Sequence, residues 1–279
     1  MQADWVRIED IDAYDRLYLP IPVSLPQETV ARLREWVAAG GRLVVEGCPG
    51  YFDARGHVSP LQPALGLDEL LGAREHGVEF TPDLLDDLQL TVDGTRCWGG
   101  LFLQTYVPTS GTPSGWYTGV GGRASGQIAA VDHVWGQGRT RLIGTMAGYG
   151  HGTHAAREPG GGACEPGGNR AFFLDLLAWY GIVPDVRSSD PLLIARLHAG
   201  EGGTYLWVAN PTRHPRPVRL TLSEARGPFG EVRSLWGAPA ILSEGEITLT
   251  APARDVTILA LGTGSDAAGS ELQKAQPMP

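Results

Sequence analysis

The stretch LYLPIPVSLPQETVARLREWVAAGGRLVV, residues 17–45, decides the fold of the first half of this chain. It opens with a short apolar run that ends at Pro20. Ser24 and Gln27 have the spacing of a helix capping box, and the apolar residues that follow recur with a period of 3.6 until Gly40 and Gly41. The closing apolar run shows no polar alternation, which is typical of a strand buried on both faces. Strand, helix and strand at this spacing predict a βαβ crossover in a parallel sheet.

Beyond residue 45 the pattern remains mixed up to Pro184. Apolar periodicity predicts short helices and strands, whereas a Gly-, Ser- and Thr-rich stretch predicts a long surface loop at 109–126. The predicted helices are 67–71 and one with Phe172, Phe173, Leu176, Leu177 and Tyr180 on one face, and the predicted strands are 88–92, 128–135 and 140–144.

After Pro191 short apolar runs alternate with turn residues, which predicts a small all-β sandwich. We therefore expect an α/β domain at 1–187, a β-sandwich at 188–262 and a disordered tail at 263–279. The predicted strands are 192–197, 204–208, 218–222, 232–235, 247–249 and 256–261.

Composition excludes several classes of protein. With 22 Lys and Arg against 31 Asp and Glu, the net charge of −9 argues against a nucleic-acid partner. The sequence contains no unbroken apolar run of about 18 residues, so we expect no membrane span, and its N-terminus does not resemble a secretory signal. Three widely spaced cysteines favour a reducing, cytoplasmic location. The sequence has no phosphate loop and no dinucleotide fingerprint, so no cofactor is expected.

One group of residues suggests nucleophilic catalysis. Cys48 follows the predicted strand 43–45, at the strand edge where open α/β sheets bind ligands. With His151 and Glu158 it would form a Cys-His-Glu triad if a base lowered the thiol pKa. Pro49 has no N–H to contribute to an oxyanion hole. A buried cysteine beside a glycine turn is therefore the favoured interpretation.

The same region offers ligand types suited to zinc, in His151, His154, Glu158 and Cys164. These residues lie in a Gly-rich segment, and a closed zinc site needs about four ligands on well-placed elements. A solvated polar loop is the preferred interpretation, and we expect no metal.

Aromatic residues also stand in Gly-rich surroundings, notably Trp98, Tyr106, Trp116 and Tyr117. Exposed aromatic rings stack on sugars and mark protein interfaces. Sugar contact, an interface and local packing are all compatible with the pattern, and Trp98, Trp116 and Tyr117 are the candidate contact residues.

Three segments carry a resemblance to a known family. Residues 14–44 and 128–145 resemble the trimerisation domain of family 42 β-galactosidases. Residues 205–212, YLWVANPT, resemble the small C-terminal β-domain that follows it. The resemblance implies a flavodoxin-like sheet similar to that of class I glutamine amidotransferases, in which Cys48 would occupy the position of the nucleophile. Here Glu46 stands where those enzymes have glycine, and His151 lacks the Pro-Glu pair that follows their histidine.

The resemblance implies a non-catalytic role and a homotrimer. It places the catalytic glutamates on a barrel of about 250 residues that has no counterpart here. The segment Trp5–Ile8 would be the second strand of the domain, so the chain is expected to lack the first strand and helix and to be a C-terminal fragment or truncated product. The expected partners are further copies, that barrel and galactosides. A Cys48-dependent amidotransferase-like hydrolase and a sugar-binding module remain the alternatives.

Overall fold

The computed structural model describes residues 4–53, 55–80, 88–119, 124–154 and 168–263. The described residues fall into two compact units, which divide between Ile182 and Val183. This division lies five residues before the predicted boundary. No helix in the described part of the chain is long and apolar enough to cross a membrane. Apart from Thr263, the predicted tail lies outside the described residues.

The first unit is a mixed α/β structure that begins with a 3-10 helix at Ile8–Ala13. Its described elements are, in chain order, β1 (Arg16–Leu19), α1 (Gln27–Ala38), β2 (Arg42–Glu46), α2 (Leu67–Leu71), β3 (Ala73–Phe80), β4 (Gln89–Val92), β5 (Thr95–Trp98), β6 (Phe102–Pro108), β7 (Thr112–Gly119), β8 (Ile128–Trp135), β9 (Gly138–Ile143), α3 (Ala147–His154) and α4 (Arg170–Tyr180).

The βαβ crossover predicted from residues 17–45 is confirmed. β1 and β2 pair in parallel, with Leu17 opposite Leu43. Helix α1 buries Val30, Leu33, Trp36 and Val37. The predicted capping box is wrong, because α1 begins after Pro26 with no side-chain cap, and Ser24 instead forms an isolated bridge with Phe52.

The central sheet has seven strands in the order β1-β2-β9-β8-β7-β4-β5. Only β1, β2 and β9 run parallel, and the other pairs are antiparallel. The predicted parallel arrangement is thus present in these three strands, and the sheet as a whole is mixed. Short turns such as Gly136-Gln137 join consecutive strands, and a connection that short can only produce an antiparallel pair.

Two further local predictions are wrong. Residues 109–126 contain strand β7, which pairs with β4 and β8 and so is part of the sheet. The expected strand at Trp5–Ile8 is absent, and Trp5 is 97% exposed. Tertiary pairing supplies β7 with partners on both sides, which local composition does not reveal.

Strand β2 is buried on both faces, as its unbroken apolar run predicts. Val44 belongs to the core beneath α4, which also contains Phe172 and Leu176. Leu43 and Val45 belong to the core beneath α1 and α2, on the opposite face of the sheet. Successive strand residues point to opposite faces, so a single apolar strand joins the two layers.

The second unit is all β, as predicted. Its strands are β10 (Val186–Ser188), β11 (Ile194–Gly200), β12 (Gly203–Asn210), β13 (Arg216–Leu222), β14 (Glu231–Trp236), β15 (Ala240–Ser243), β16 (Glu246–Ala251) and β17 (Asp255–Gly262). They form two antiparallel sheets, β10-β13-β16-β15 and β11-β12-β17-β14. Leu206 and Leu259 of one sheet share a core with Leu220 and Ile247 of the other.

Candidate functional site

The turn after β2 has the sharp geometry of a strand-end elbow. Cys48 adopts a left-handed backbone conformation with φ of 50°, which is uncommon for a residue that carries a Cβ. The Gly47 N–H donates to the carbonyl of Ile143 at 2.7 Å. A Cβ on Gly47 would lie 1.9 Å from the Phe102 ring, so only glycine fits at that position. The turn is thus held by the hydrogen bond to Ile143 and by the close approach of the Phe102 ring.

The Cys48 thiol is closed to solvent. The residue is 2% exposed. Burial raises its pKa from 9.0 to about 12, and the charge of Glu75 adds to the shift. A nucleophilic cysteine needs a lowered pKa, because the thiolate is the reactive form. Cys48 has the environment of a structural cysteine.

A buried network surrounds Cys48 and explains its conformation. Gln104, on β6, accepts the Cys48 N–H at 2.8 Å and the Tyr106 hydroxyl at 2.6 Å through its Oε1. Its Nε2 donates to Glu75 of β3 at 2.6 Å. The sequence offers no local signal for these partners, because they are distant along the chain, Gln104 by 56 positions, and meet Cys48 only in the folded sheet.

Glu46 ties the same turn to helix α3. Its Oε1 accepts the N–H of Ala147 at 2.8 Å and that of Gly148 at 3.2 Å, and it also accepts the Tyr18 hydroxyl. Burial raises the pKa of the Glu46 carboxyl, whereas these three hydrogen bonds oppose the shift. A carboxylate at a helix N-terminus satisfies otherwise unpaired N–H groups. Glu46 therefore has a structural role in this turn.

The structure does not join the two described members of the alternative triad, Cys48 and His151, by a hydrogen bond. The Nδ1 of His151 accepts the Asn169 N–H at 3.0 Å, and its ring packs edge-on against Phe173. No hydrogen bond or ion pair joins His151 to Cys48 among the described residues. Glu158 lies outside the described residues, so its predicted role stays a prediction.

No group of three or more metal-binding side chains occurs within the described ranges. Two of the four residues considered for zinc, Glu158 and Cys164, lie outside those ranges. His154 is the last residue of α3.

The three candidate aromatic residues have different surroundings. Trp98 is half-buried at the end of β5, where its backbone pairs with the buried Asn169 side chain. Trp116 is 43% exposed on β7, whereas Tyr117 is 1% exposed. Neighbouring strand residues face opposite sides of a sheet. The prediction of Tyr117 as a contact residue is therefore wrong, because its ring lies in the core and its hydroxyl bonds to Gly144.

Two of the open clefts in the described part of the chain lie on the surface of the first unit. One, of about 380 Å³, is lined by residues that include Arg34 and Glu69. The other, of about 490 Å³, is lined by residues that include Asp68, Arg74 and His133. Neither touches Cys48, His151 or Trp116.

The fold and the closed elbow define a class of protein: a mixed α/β domain with a buried strand-end cysteine, followed by a β-sandwich. The family described as the β-galactosidase trimerisation domain matches residues 2–155. The chain belongs to this family.

Solved structures share the fold of both units. A β-galactosidase from Bacillus circulans sp. alkalophilus matches with a TM-score of 0.65 and 15% identity, over 91% of this chain and 34% of that one. A β-galactosidase from Rahnella sp. R3 matches with a TM-score of 0.64 and 15% identity, over 90% and 32%. An α-L-fucosidase isoenzyme 2 from Paenibacillus thiaminolyticus matches with a TM-score of 0.56 and 13% identity, over 92% and 42%.

The chain thus spans about a third of the length of the β-galactosidases it matches. At such low identity the likeness concerns the fold. No curated protein matches the chain.

Proposed function

We propose that this chain is an oligomer-forming, non-catalytic region of a β-galactosidase-like glycoside hydrolase. The observation that carries the proposal is the match of residues 2–155 to the trimerisation-domain family. The closed environment of Cys48 supports it, because a buried thiol with a raised pKa leaves the elbow without a nucleophile. The partners are two further copies of the chain and the catalytic barrel of the same enzyme.

The proposal also covers the origin of the first unit, the cellular location and the substrate. The first unit descends from an amidotransferase-like, flavodoxin-like domain, and the left-handed turn at Cys48 is the remnant of its nucleophile elbow. The protein works in the cytoplasm, where reduced thiols such as those of Cys48 and Cys97 persist. Galactosides are the substrates of the whole enzyme.

Size-exclusion chromatography with light scattering tests the proposal directly. A particle of three times the mass of one chain is expected over a range of protein concentrations. A chain that stays monomeric at every concentration would contradict the proposal. Hydrolysis of a chromogenic β-galactoside by the isolated chain would also contradict its non-catalytic part.

The alternative hydrolase function depends on Cys48. Its test is turnover of glutamine or a thioester by the wild-type chain and by Cys48→Ala. The proposal predicts no difference between them, since the thiol is not exposed to substrate.

A further inference from the structure

Three arginines form a row across the three parallel strands of the central sheet. Arg16, Arg42 and Arg139 occupy directly paired positions on β1, β2 and β9. Neighbouring strands lie about 4.8 Å apart, so the three side chains emerge within roughly 10 Å of one another. Like charges at directly opposite positions destabilise a sheet. The row is thus a local concentration of positive charge in a chain whose net charge is −9.

The row lies on the face of the sheet that α4 covers, at the C-terminal end of this helix. Val44, two residues after Arg42, belongs to the core beneath α4, so Arg42 faces this helix as well. The Tyr180 carbonyl accepts the Arg16 Nε at 2.8 Å and also the Arg42 Nη1. Arg16 Nη1 donates to Asp15 at 2.6 Å. Basic side chains commonly bond the last carbonyls of a helix, and here one carbonyl holds two guanidinium groups side by side.

The helix end does not explain Arg139. Its guanidinium lies over the Trp179 ring, 4.4 Å from the ring centroid. Its Nε is buried and has no hydrogen-bond partner within the described ranges. Burial lowers the pKa of Arg139, and the charge of Arg42 adds to the shift. Stacking on an indole leaves the charge of a guanidinium in place, so Arg139 adds an uncompensated cation to the row.

The nearby carboxylates are already engaged. Both oxygens of Asp132 accept from Arg141, and Asp93 pairs with the same guanidinium. Neither Arg42 nor Arg139 forms an ion pair with a residue in the described part of the chain. Two guanidinium groups at adjacent positions are therefore left without a counter-charge.

The row is open to solvent. Val134 pairs with Arg139 on β8, at the end of the row, and is 71% exposed. The Arg16 side chain is 33% exposed at the other end, and Arg42 and Arg139 are half-buried. A small anion can therefore reach the guanidinium groups without any rearrangement of the sheet.

We propose that Arg42 and Arg139, with Arg16 beside them, form a binding site for a phosphate group. A guanidinium donates paired N–H groups to phosphate oxygens in a fixed planar geometry. A phosphate group carries a charge of about −1.5 to −2 at neutral pH, which matches two unpaired guanidinium groups. A carboxylate has a single charge and two oxygens, and so matches only one. Inorganic phosphate and a phosphate monoester present this same chemistry, and the site does not depend on trimer formation.

Isothermal titration calorimetry of the full chain, at low ionic strength in a phosphate-free buffer, tests the site. The probes are inorganic phosphate, phenyl phosphate and acetate. Saturable binding of phosphate is expected, with an affinity about ten times lower or weaker still in Arg42→Gln and in Arg139→Gln. Arg34→Gln is the matched control and should bind as wild type does. Arg34 also stacks on an indole, 4.6 Å from the Trp135 centroid, but it is paired with Glu69.

The two phosphate probes distinguish the sources of the ligand. Phenyl phosphate bound as tightly as inorganic phosphate would support a phosphorylated molecule as the ligand, whereas binding of inorganic phosphate alone would support the free ion. No saturable binding of either probe, unchanged affinity in both glutamine variants, or acetate bound as tightly as phosphate would overturn the proposal.

Circular dichroism verifies that each variant is folded. If Arg139→Gln does not fold, Arg139→Lys provides the test, because an ammonium keeps the charge but lacks the planar fork. It should bind phosphate more weakly than wild type, and equal affinity would overturn the role of Arg139. Light scattering measures the particle mass separately, so failure of this site and failure of the proposed function are distinguishable.

Discussion

Arg141 and Asp132 form a two-point ion pair across neighbouring strands of the central sheet. The Arg141 Nε and Nη2 donate to the two carboxylate oxygens of Asp132 at 2.7 and 2.8 Å. The same guanidinium also donates to Asp93 at 2.6 Å, and the Arg141 side chain is only 3% exposed. Asp132 in turn accepts from Ser114 and from the Trp179 indole. The pair therefore links β7, β8, β9 and α4.

We expect Asp132→Ala to destabilise the first unit by about 3 kcal/mol, because it leaves a buried guanidinium with one partner fewer. Urea unfolding followed by circular dichroism measures the loss. Asp15→Ala is the matched control, since Asp15 pairs with a one-third exposed Arg16 and such pairs contribute about 1 kcal/mol or less. Equal effects of the two substitutions would contradict the structural role of the Arg141 pair.

The adjacent residues Trp116 and Tyr117 should respond differently to replacement by phenylalanine. The Tyr117 hydroxyl lies 2.7 Å from the Gly144 carbonyl and 3.2 Å from the Gln104 N–H, in the core. Tyr117→Phe removes the buried hydrogen bond of this hydroxyl to the Gly144 carbonyl and should cost about 1 kcal/mol. Trp116→Phe changes an exposed ring and should stay within about 0.5 kcal/mol. Thermal unfolding measures the loss of stability in each variant. A larger loss for Trp116→Phe than for Tyr117→Phe would contradict the burial of Tyr117 and the exposure of Trp116.

The thiols of Cys48 and Cys97 should resist alkylation in the folded protein. Both are buried, and burial raises the pKa of each. In a Cys164→Ser background, iodoacetamide at mildly alkaline pH should label neither thiol, whereas both should react in concentrated guanidinium chloride. Mass spectrometry counts the adducts. Labelling of native Cys48 at the rate of a free thiol would contradict its burial and would support the Cys48-dependent hydrolase function.

The raised pKa of Cys48 also predicts a loss of stability in alkaline solution. Between pH 9.0 and about 12 the folded protein retains a thiol proton that the unfolded chain has released. The free energy of unfolding should therefore fall as pH rises through this window. Cys48→Ala should reduce the slope by up to about 1.4 kcal/mol per pH unit. Chemical denaturation at a series of pH values measures it, and identical slopes would contradict the assigned shift.

Glu46 provides a test at lower pH. Because burial raises its pKa above 4.5, the associated stabilisation is fully present below pH 4.5 and is lost as pH rises through the folded pKa. Glu46→Gln keeps an acceptor for Tyr18 and Ala147, so it should be at least as stable as wild type at neutral pH and should lose this pH dependence. Glu46→Ala leaves those donors unpaired and should cost about 1–3 kcal/mol. Equal destabilisation by both variants would show that the charge itself stabilises the turn.

Much of the fold could be predicted from local patterns. The apolar spacing in α1 and the unbroken run in β2 identified the crossover, and Leu67–Leu71 and Ile128–Trp135 have the predicted bounds. These patterns depend on residues a few positions apart, so they can be identified without knowing which strands pair in the folded protein. The predicted capping box at Ser24 is wrong because α1 begins only after Pro26 and because Ser24 instead bridges to Phe52.

Less of the candidate site than of the fold could be predicted from the sequence. The position of Cys48 after a buried strand was predictable, but the partner that holds its N–H, Gln104, comes from a distant strand. Trp116 and Tyr117 look alike in sequence, and the pairing of β7 decides which of them is buried. The row of Arg16, Arg42 and Arg139 depends on which strands pair in parallel, and the three residues are far apart in the sequence.

By itself, the sequence determined the βαβ unit, the family resemblance and the all-β second half, because the period of apolar residues and the placement of glycine and proline act locally. The tertiary structure decided the antiparallel completion of the sheet, the burial of the Cys48 thiol and the row of Arg16, Arg42 and Arg139. These depend on which strands pair and in what register, and a shift of one residue in pairing moves a side chain from the core to the solvent.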